Sequence, residues 1–297
     1  MLELFLRQAQ QALPPPFPAS DLPARIGRLA IRSLYREVEL APKPGLVSPL
    51  SQGSHVDMDF ATFMRSLHAL RDYFPAIAEC GSAHPDFTPL RQMGVEAEAR
   101  MLAATGGVNT HRGAIFNLGL LCAAAGSVAM TNGTLSALAV CEHVSERWGA
   151  AVLANQPRVA DDEAPSHGLV VARCYGTGGA RQEAASGFPA ALEVGLPAYR
   201  DALAATGSRE LAAVQALFAL IAVLEDSNLL WRGGLEGLAH AHSTAAAFLA
   251  DGGVLAADWR ESAACIDRDF SQRRLSPGGS ADLLGITLFL AELDGLA

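Results

Sequence analysis

The sequence predicts an all-α fold, a single compact multi-helix domain around a buried central helix. Three observations carry this. Apolar residues recur at helical spacing through most of the 297 residues, and no stretch alternates apolar and polar residues at period two. Residues 114–130 run almost wholly apolar, and residues 211–224 are apolar nearly all round, broken only by Gln215, which suits a central helix packed on every side. Half of the residues are apolar and only 18% are charged, enough for one large core.

The composition also narrows the function. A mean hydropathy of +0.21 is high for a soluble protein and raises the question of a membrane span. Residues 114–130 contain Asn117, Gly119, Gly126 and Ser127, and residues 211–224 fall short of the ~20 residues that a span needs, so both read as buried helices and no membrane is expected. The net charge of −9 argues against nucleic acid, which wants a basic face. An anionic ligand must then be met by a local cluster of cations. The five cysteines are far apart, odd in number and without a C-x-x-C pair, which fits free thiols in a reducing cytoplasm better than disulfides or structural zinc. Glu3 and the lack of a basic leader argue against a signal peptide.

Taken in order, residues 1–13 form a short amphipathic helix ended by Pro14, Pro15, Pro16 and Pro18, read either as a peripheral lid or as a subunit contact of a homodimer. Residues 1–23 are thus a lead-in to a catalytic domain over 24–297. Asp21-Leu22-Pro23 reads as a cap and first-turn proline opening a helix from about Ala24, with Ile26, Leu29, Ala30, Leu34 and Val38 on its apolar face. Glu37 lies seven residues after Ala30, within about 20° of it around the helix, so this inward carboxylate needs a salt-bridge partner or a job. Prolines on both sides of Lys43 hold it in a stiff extended loop. Ser54, His55, Asp57 and Asp59 precede a helix over 60–78; the two Asp residues either cap it, or His55 and Asp57 bind a metal or handle a proton.

A loop over 80–89 and a helix over 90–104 lead to TGGVNTHRG at residues 105–113. Glycine freedom, then Asn109, Thr110, His111 and Arg112 at the start of an apolar helix, offers backbone N–H donors and a cation to an anion. Residues 134–148 are helical, and Asp161, Asp162 and Glu163 read as a solvated acidic run before His167-Gly168. YGTGGAR at residues 175–181 begins like a dinucleotide fingerprint, but Arg181 stands where the third glycine belongs and no strand–helix alternation surrounds it. A Walker A loop is also absent. Residues 211–224 deliver Glu225, Asp226 and Asn228, hard oxygen ligands that point to Mg²⁺ rather than zinc, or else a polar helix end. Finally, SPGGSADLL at residues 276–284 makes a tight loop with exposed N–H groups, in which Ser280 can cap the terminal helix with Asp282 in its first turn; a plain helix cap and a ligand site explain these two residues about equally well.

In number and order these blocks resemble the triphosphoribosyl-dephospho-CoA synthase family. The resemblance rests on EVELAPKPGLV (37–47), GSHVD (53–57), GVNTHRGAIF (107–116), His167-Gly168, GARQE (179–183), EDSNLLWRG (225–233) and SPGGSADLL (276–284). It implies transfer of a 5-triphosphoribosyl group from ATP to dephospho-CoA with release of adenine. It also implies that the product passes to a transferase that loads an acyl carrier protein of malonate decarboxylase or citrate lyase. The GSHVDMD run and residues 65–74 look more like the malonate branch. Two departures stand out: Ser48 where the family often has an acid, and Arg112 where it often has Lys.

On this resemblance no phosphoryl group moves, so a P-loop is not needed, but cations and N–H donors for a triphosphate are. Lys43, Arg112, Arg181 and Arg232 would supply the charge. Gly45, Gly107, Asn109, Thr110, His167, Ser276, Gly278 and Gly279 would complete the nucleotide site, with Mg²⁺ held by Glu225, Asp226 and Asp57. The sugar carbon becomes oxocarbenium-like, so a carboxylate nearby would stabilise it, and the attacking hydroxyl needs a base. Glu37 and His111 are the candidates for that base, with His55 as a further catalytic group. Two other readings stay open on the sequence: an Mg²⁺-dependent all-α hydrolase of ADP-ribose-type bonds, and a non-catalytic helical partner protein.

Overall fold

The computed structural model describes residues 21–83, 86–131, 135–155 and 167–295. The lead-in helix over residues 1–13, its prolines and the Asp161–Glu163 run lie outside them. The described chain is all-α, as the periodicity predicts, with no strand. In order the helices are α1 (Leu22–Glu39), α2 (Phe60–Leu70), α3 (Tyr73–Ala83), α4 (Phe87–Thr105), α5 (Arg112–Met130), α6 (Ala137–Ala154), α7 (His167–Tyr175) and α8 (Gly179–Ala185). A π-helical turn (Ala190–Gly195) leads into α9 (Leu196–Thr206), followed by α10 (Arg209–Val223) and α11 (Ser227–Ala250). A 3₁₀ turn (Gly253–Leu255), α12 (Trp259–Gln272) and α13 (Gly278–Leu293) complete the described chain.

Three helices, rather than one, form the centre. Leu118–Gly126 of α5 and Leu283–Ala291 of α13 are buried without a break, and α10 buries apolar residues around most of its circumference, leaving Met130 and Val223 exposed at the ends of α5 and α10. By length and composition α5 could cross a membrane, yet its apolar side chains are buried among neighbouring helices. The most extensive helix pair is α3 with α5, followed by α1 with α3 and α9 with α10. Small residues make the α3–α5 contact possible: a Cβ at Gly81 would lie 2.3 Å from the Ala123 carbonyl oxygen, and one at Gly126 would lie 2.1 Å from that of Ala78.

Two expected boundaries shift. The helix expected over 60–78 is broken at Arg71-Asp72, because Pro75 cannot donate to the carbonyl four residues earlier and is tolerated only in a first turn. The new helix then carries Phe74, Ile77 and Ala78 into the core and continues to Ala83, where a loop was expected. The terminal helix starts at Gly278, so Ser280 lies inside its first turn and does not cap it; its hydroxyl is used elsewhere. All five cysteines are free thiols.

Candidate active site

The C-terminal end of α1 and the N-terminal ends of α5, α11 and α13 converge. Glu37, in the last turn of α1, is 6% exposed, and Lys43, in the loop that follows, is 2% exposed. Lys43 Nζ donates to Glu37 Oε1 and to the Glu37 carbonyl, both at 2.7 Å. Burial lowers the Lys43 pKa, and Glu37 and Asp267 oppose that shift. The loop is fixed from below: the Gly45 N–H donates to Asp267 Oδ1 at 2.9 Å, and at φ 64° a Cβ there would stand 2.1 Å from the Leu275 carbonyl oxygen. Ser48 is buried, and its Oγ accepts from the Leu50 and Ser51 N–H groups, so the residue that departs from the family pattern shapes a turn.

His111 precedes α5 and is 2% exposed. Its Nδ1 lies 2.6 Å from Ser66 Oγ on α2, and Phe63 meets the ring edge-on. Among the described residues Ser66 Oγ–H has no other acceptor, so it donates to Nδ1 and the neutral ring carries its proton on Nε2. That Nε2 is buried and has no partner. Burial, aided by the Lys43 cation, pushes the His111 pKa down to about 3. At neutral pH the ring is therefore a hydrogen-bond donor and a poor base. Thr110 Oγ1 beside it is also buried without a partner, and Asn109 Oδ1 accepts from the Arg112 N–H at 3.1 Å, closing the turn before α5.

Asp226 joins α11 to α13. Its Oδ1 accepts from the N–H groups of Asn228 and Leu229, and its Oδ2 accepts from Ser280 N–H at 2.8 Å and Ser280 Oγ–H at 3.0 Å. Burial raises its pKa against those hydrogen bonds. The loop glycines leave it room, since a Cβ at Gly279 would lie 3.1 Å from the carboxylate and one at Gly278 would lie 2.7 Å from Asn228 Nδ2. One turn into α13, half-buried Asp282 points at the start of α5, where a Cβ on Gly113 would come within 1.8 Å of its Oδ2. Burial and the charges of Glu37 and Asp226 hold the Asp282 pKa well above the ordinary carboxylate range.

Beside this centre lies a second group. His55 Nε2 is 2.9 Å from Ser276 Oγ, and its Nδ1 is 3.3 Å from an Arg232 guanidinium nitrogen and 3.7 Å from Asp57. Burial and Arg232 lower the His55 pKa, while Asp57 opposes them. Arg232 also donates to the Ser54 and Arg274 carbonyls, and the neighbouring Trp231 stacks on His167 with ring centres 4.1 Å apart. The remaining predicted cations are held further out. Arg112 pairs with Glu98, and Arg181 donates to the Val152 and Asn155 carbonyls at the end of α6 while lying over the Phe116 ring. Gly107, at φ 89°, opens onto free space.

The expected Mg²⁺ cage does not form. Glu225 is exposed, Asp57 is more than half exposed, and both oxygens of Asp226 already accept hydrogen bonds. Among the described residues no group of three or more His, Cys, Asp or Glu is arranged to hold a metal ion. Two residues outside the assigned site set enter instead: Ser66, which orients His111, and Asp282, which the sequence leaves open between a helix cap and a ligand site.

Residues 23–297 match the CitG family, described as ATP:dephospho-CoA triphosphoribosyl transferase. The chain belongs to this family. A relative from Acinetobacter calcoaceticus, named probable 2-(5''-triphosphoribosyl)-3'-dephosphocoenzyme-A synthase, is 44% identical over 270 residues, covering 91% of both chains. One of the same name from Pseudomonas putida is 41% identical over 281 residues, covering 93% of this chain and 97% of the relative. The 2-(5''-triphosphoribosyl)-3'-dephosphocoenzyme-A synthase of Escherichia fergusonii is 38% identical over 273 residues, covering 90% of both. No solved structure matches. The chain is thus an enzyme with triphosphoribosyl-dephospho-CoA synthase activity, taking ATP and dephospho-CoA as substrates, and the hydrolase reading is not favoured.

Proposed function

We propose that the transfer takes place where α1, α5, α11 and α13 converge, with the ribose of ATP over the carboxylates and its triphosphate toward Arg232. The observation that carries this reading is the buried, unpartnered Nε2 of His111 beside a cluster of three carboxylates, Glu37, Asp226 and Asp282. Among the described residues, Lys43 is the one cation lodged in that cluster, and it is already engaged by Glu37. Like charges about 5 Å apart cost on the order of 3 kcal/mol at an effective dielectric near 20, so a triphosphate would not settle among these carboxylates. A sugar carbon that becomes oxocarbenium-like would. The phosphates then belong at the rim, on Arg232, because the Gly278 and Gly279 N–H groups are already taken by the Ser276 carbonyl and the Asp226 carboxylate. His111 Nε2–H donates to a substrate oxygen or ring nitrogen. Trp231 and His167 offer a stacked face for a base.

Magnesium, on this reading, is the counter-ion of the ATP triphosphate rather than a resident of a protein cage. The product is the precursor of the prosthetic group of an acyl carrier protein, with malonate decarboxylase preferred over citrate lyase on the GSHVDMD resemblance. Incubating the purified protein with ATP, Mg²⁺ and dephospho-CoA and separating the products with mass detection tests the assignment. Free adenine with a triphosphoribosyl adduct, both lost when His111 is replaced by Ala, is the expected result. Adenine without an adduct would point to hydrolysis instead.

A further inference from the structure

We propose that Asp282 is the general base of the transfer, taking the proton from the attacking ribose hydroxyl of dephospho-CoA. This rests on the transferase reading above and fills the role that reading leaves open. The argument begins with what each carboxylate is already doing. Glu37 is bound to Lys43 by a 2.7 Å ion pair, with its own carbonyl holding the same ammonium. Asp226 has both oxygens occupied by four N–H and O–H donors from α11 and α13. Asp282 alone of the three has no hydrogen-bond or ion-pair partner among the described residues. His111, the other sequence candidate, carries its proton on Nε2 and is held neutral.

The position of Asp282 is also suited to substrate. It is half-buried where Glu37 and Asp226 are nearly closed off, and its Oδ2 lies against Gly113 at the mouth of α5, where any side chain would displace it. The charged groups that act on it are Glu37 on α1, itself paired with Lys43, and Asp226 before α11. Burial, with Glu37 and Asp226 adding to it, makes Asp282 more basic than a surface Asp, as suits a proton acceptor.

The step balances. The hydroxyl oxygen forms a bond to C1 of the triphosphoribosyl group, the bond from C1 to the glycosidic nitrogen breaks, and its electron pair leaves with adenine. The hydroxyl proton moves to Asp282. Adenine takes up one proton from water and Asp282 returns its own, so the enzyme is regenerated.

The test compares wild type with Asp282→Asn in the adenine-release assay, with ATP and dephospho-CoA, across pH. We expect Asp282→Asn to lower kcat by about 10² or more. The KM values for both substrates should stay within about threefold of wild type, and the unfolding temperature should be kept. The wild-type log kcat should fall toward acid pH, and that acidic limb should be missing from the residual rate of the variant. Turnover within about tenfold of wild type, loss of substrate binding in a folded variant, or loss of an alkaline limb instead would each overturn the assignment. Should Asp282→Asn not fold, Asp282→Glu keeps the carboxyl but moves it, and is expected to be slow with its acidic limb retained; wild-type speed would count against the base. A wild type that releases no adenine would sink the transferase reading itself, a result distinct from a normal wild type with a normal variant.

Discussion

His111 shows how one buried side chain ties stability to pH. Its pKa is about 3 in the folded chain, against about 6.5 in an unfolded one. Between those values the unfolded state binds the extra proton, so stability is complete above about pH 6.5 and is lost as the pH falls toward 3. At about 1.4 kcal/mol per unit the loss is on the order of 5 kcal/mol. His55 and His143 are shifted down as well and add to it in the same direction. Urea unfolding from pH 7 to pH 4 should therefore show a steep loss in wild type, and His111→Gln should flatten the slope; equal slopes would mean that His111 is not held neutral. The sequence reveals part of this site. Prolines around Lys43 and the inward phase of Glu37 announce two groups that had to meet, and they form an ion pair. Nothing local separates Asp282 from an ordinary first-turn acid, because its significance comes from Glu37 and Asp226, which lie 245 and 56 positions away in sequence.

At the scale of elements, the site is made of helix starts, and small errors in where a helix begins change what a residue does. Ser280 reads as a cap if α13 starts after it. With α13 beginning at Gly278, Ser280 instead binds Asp226 and locks α13 to α11. Such boundaries depend on which glycine opens the helix, and a Pro-Gly-Gly run does not say. Gly113 in the first turn of α5 tests the idea that these starts are set by each other. Alanine there favours helix by up to about 1 kcal/mol, so the fold should hold. Its Cβ, however, would fall 1.8 Å from Asp282 Oδ2, and the flexible carboxyl must swing away. Gly113→Ala is expected to lose about 10-fold or more in kcat with its unfolding temperature within a few degrees of wild type. An unchanged kcat would show that Asp282 need not sit against α5.

At the scale of the whole molecule, the apolar periodicity shows that helices form but does not show which of them touch. Both α5 and α10 stand out in the sequence as buried, whereas the α3–α5 crossing rests on glycines spaced far apart in the chain, Gly81 and Gly126. A glycine inside a helix lowers its propensity, so reading one as a contact requires knowing the partner. The same substitution should consequently have opposite signs at two helical glycines. At Gly94 in α4 a Cβ would meet only the Tyr73 hydroxyl at 3.7 Å, an ordinary contact, so Gly94→Ala should stabilise by up to about 1 kcal/mol. At Gly81 the Cβ would meet Ala123 backbone atoms at 2.3 and 2.6 Å, which no side-chain rotation relieves. The helices must move apart, and overpacking of that kind costs typically about 1–3 kcal/mol, more than the propensity gain. Ala123 lies twelve residues along α5 from His111, roughly 18 Å at 1.5 Å per residue, so the strain falls far from the site. Gly81→Ala should therefore unfold at lower urea than wild type while keeping its kcat at temperatures where it is folded. Equal stability of the two variants would mean that α3 and α5 are not packed backbone to backbone.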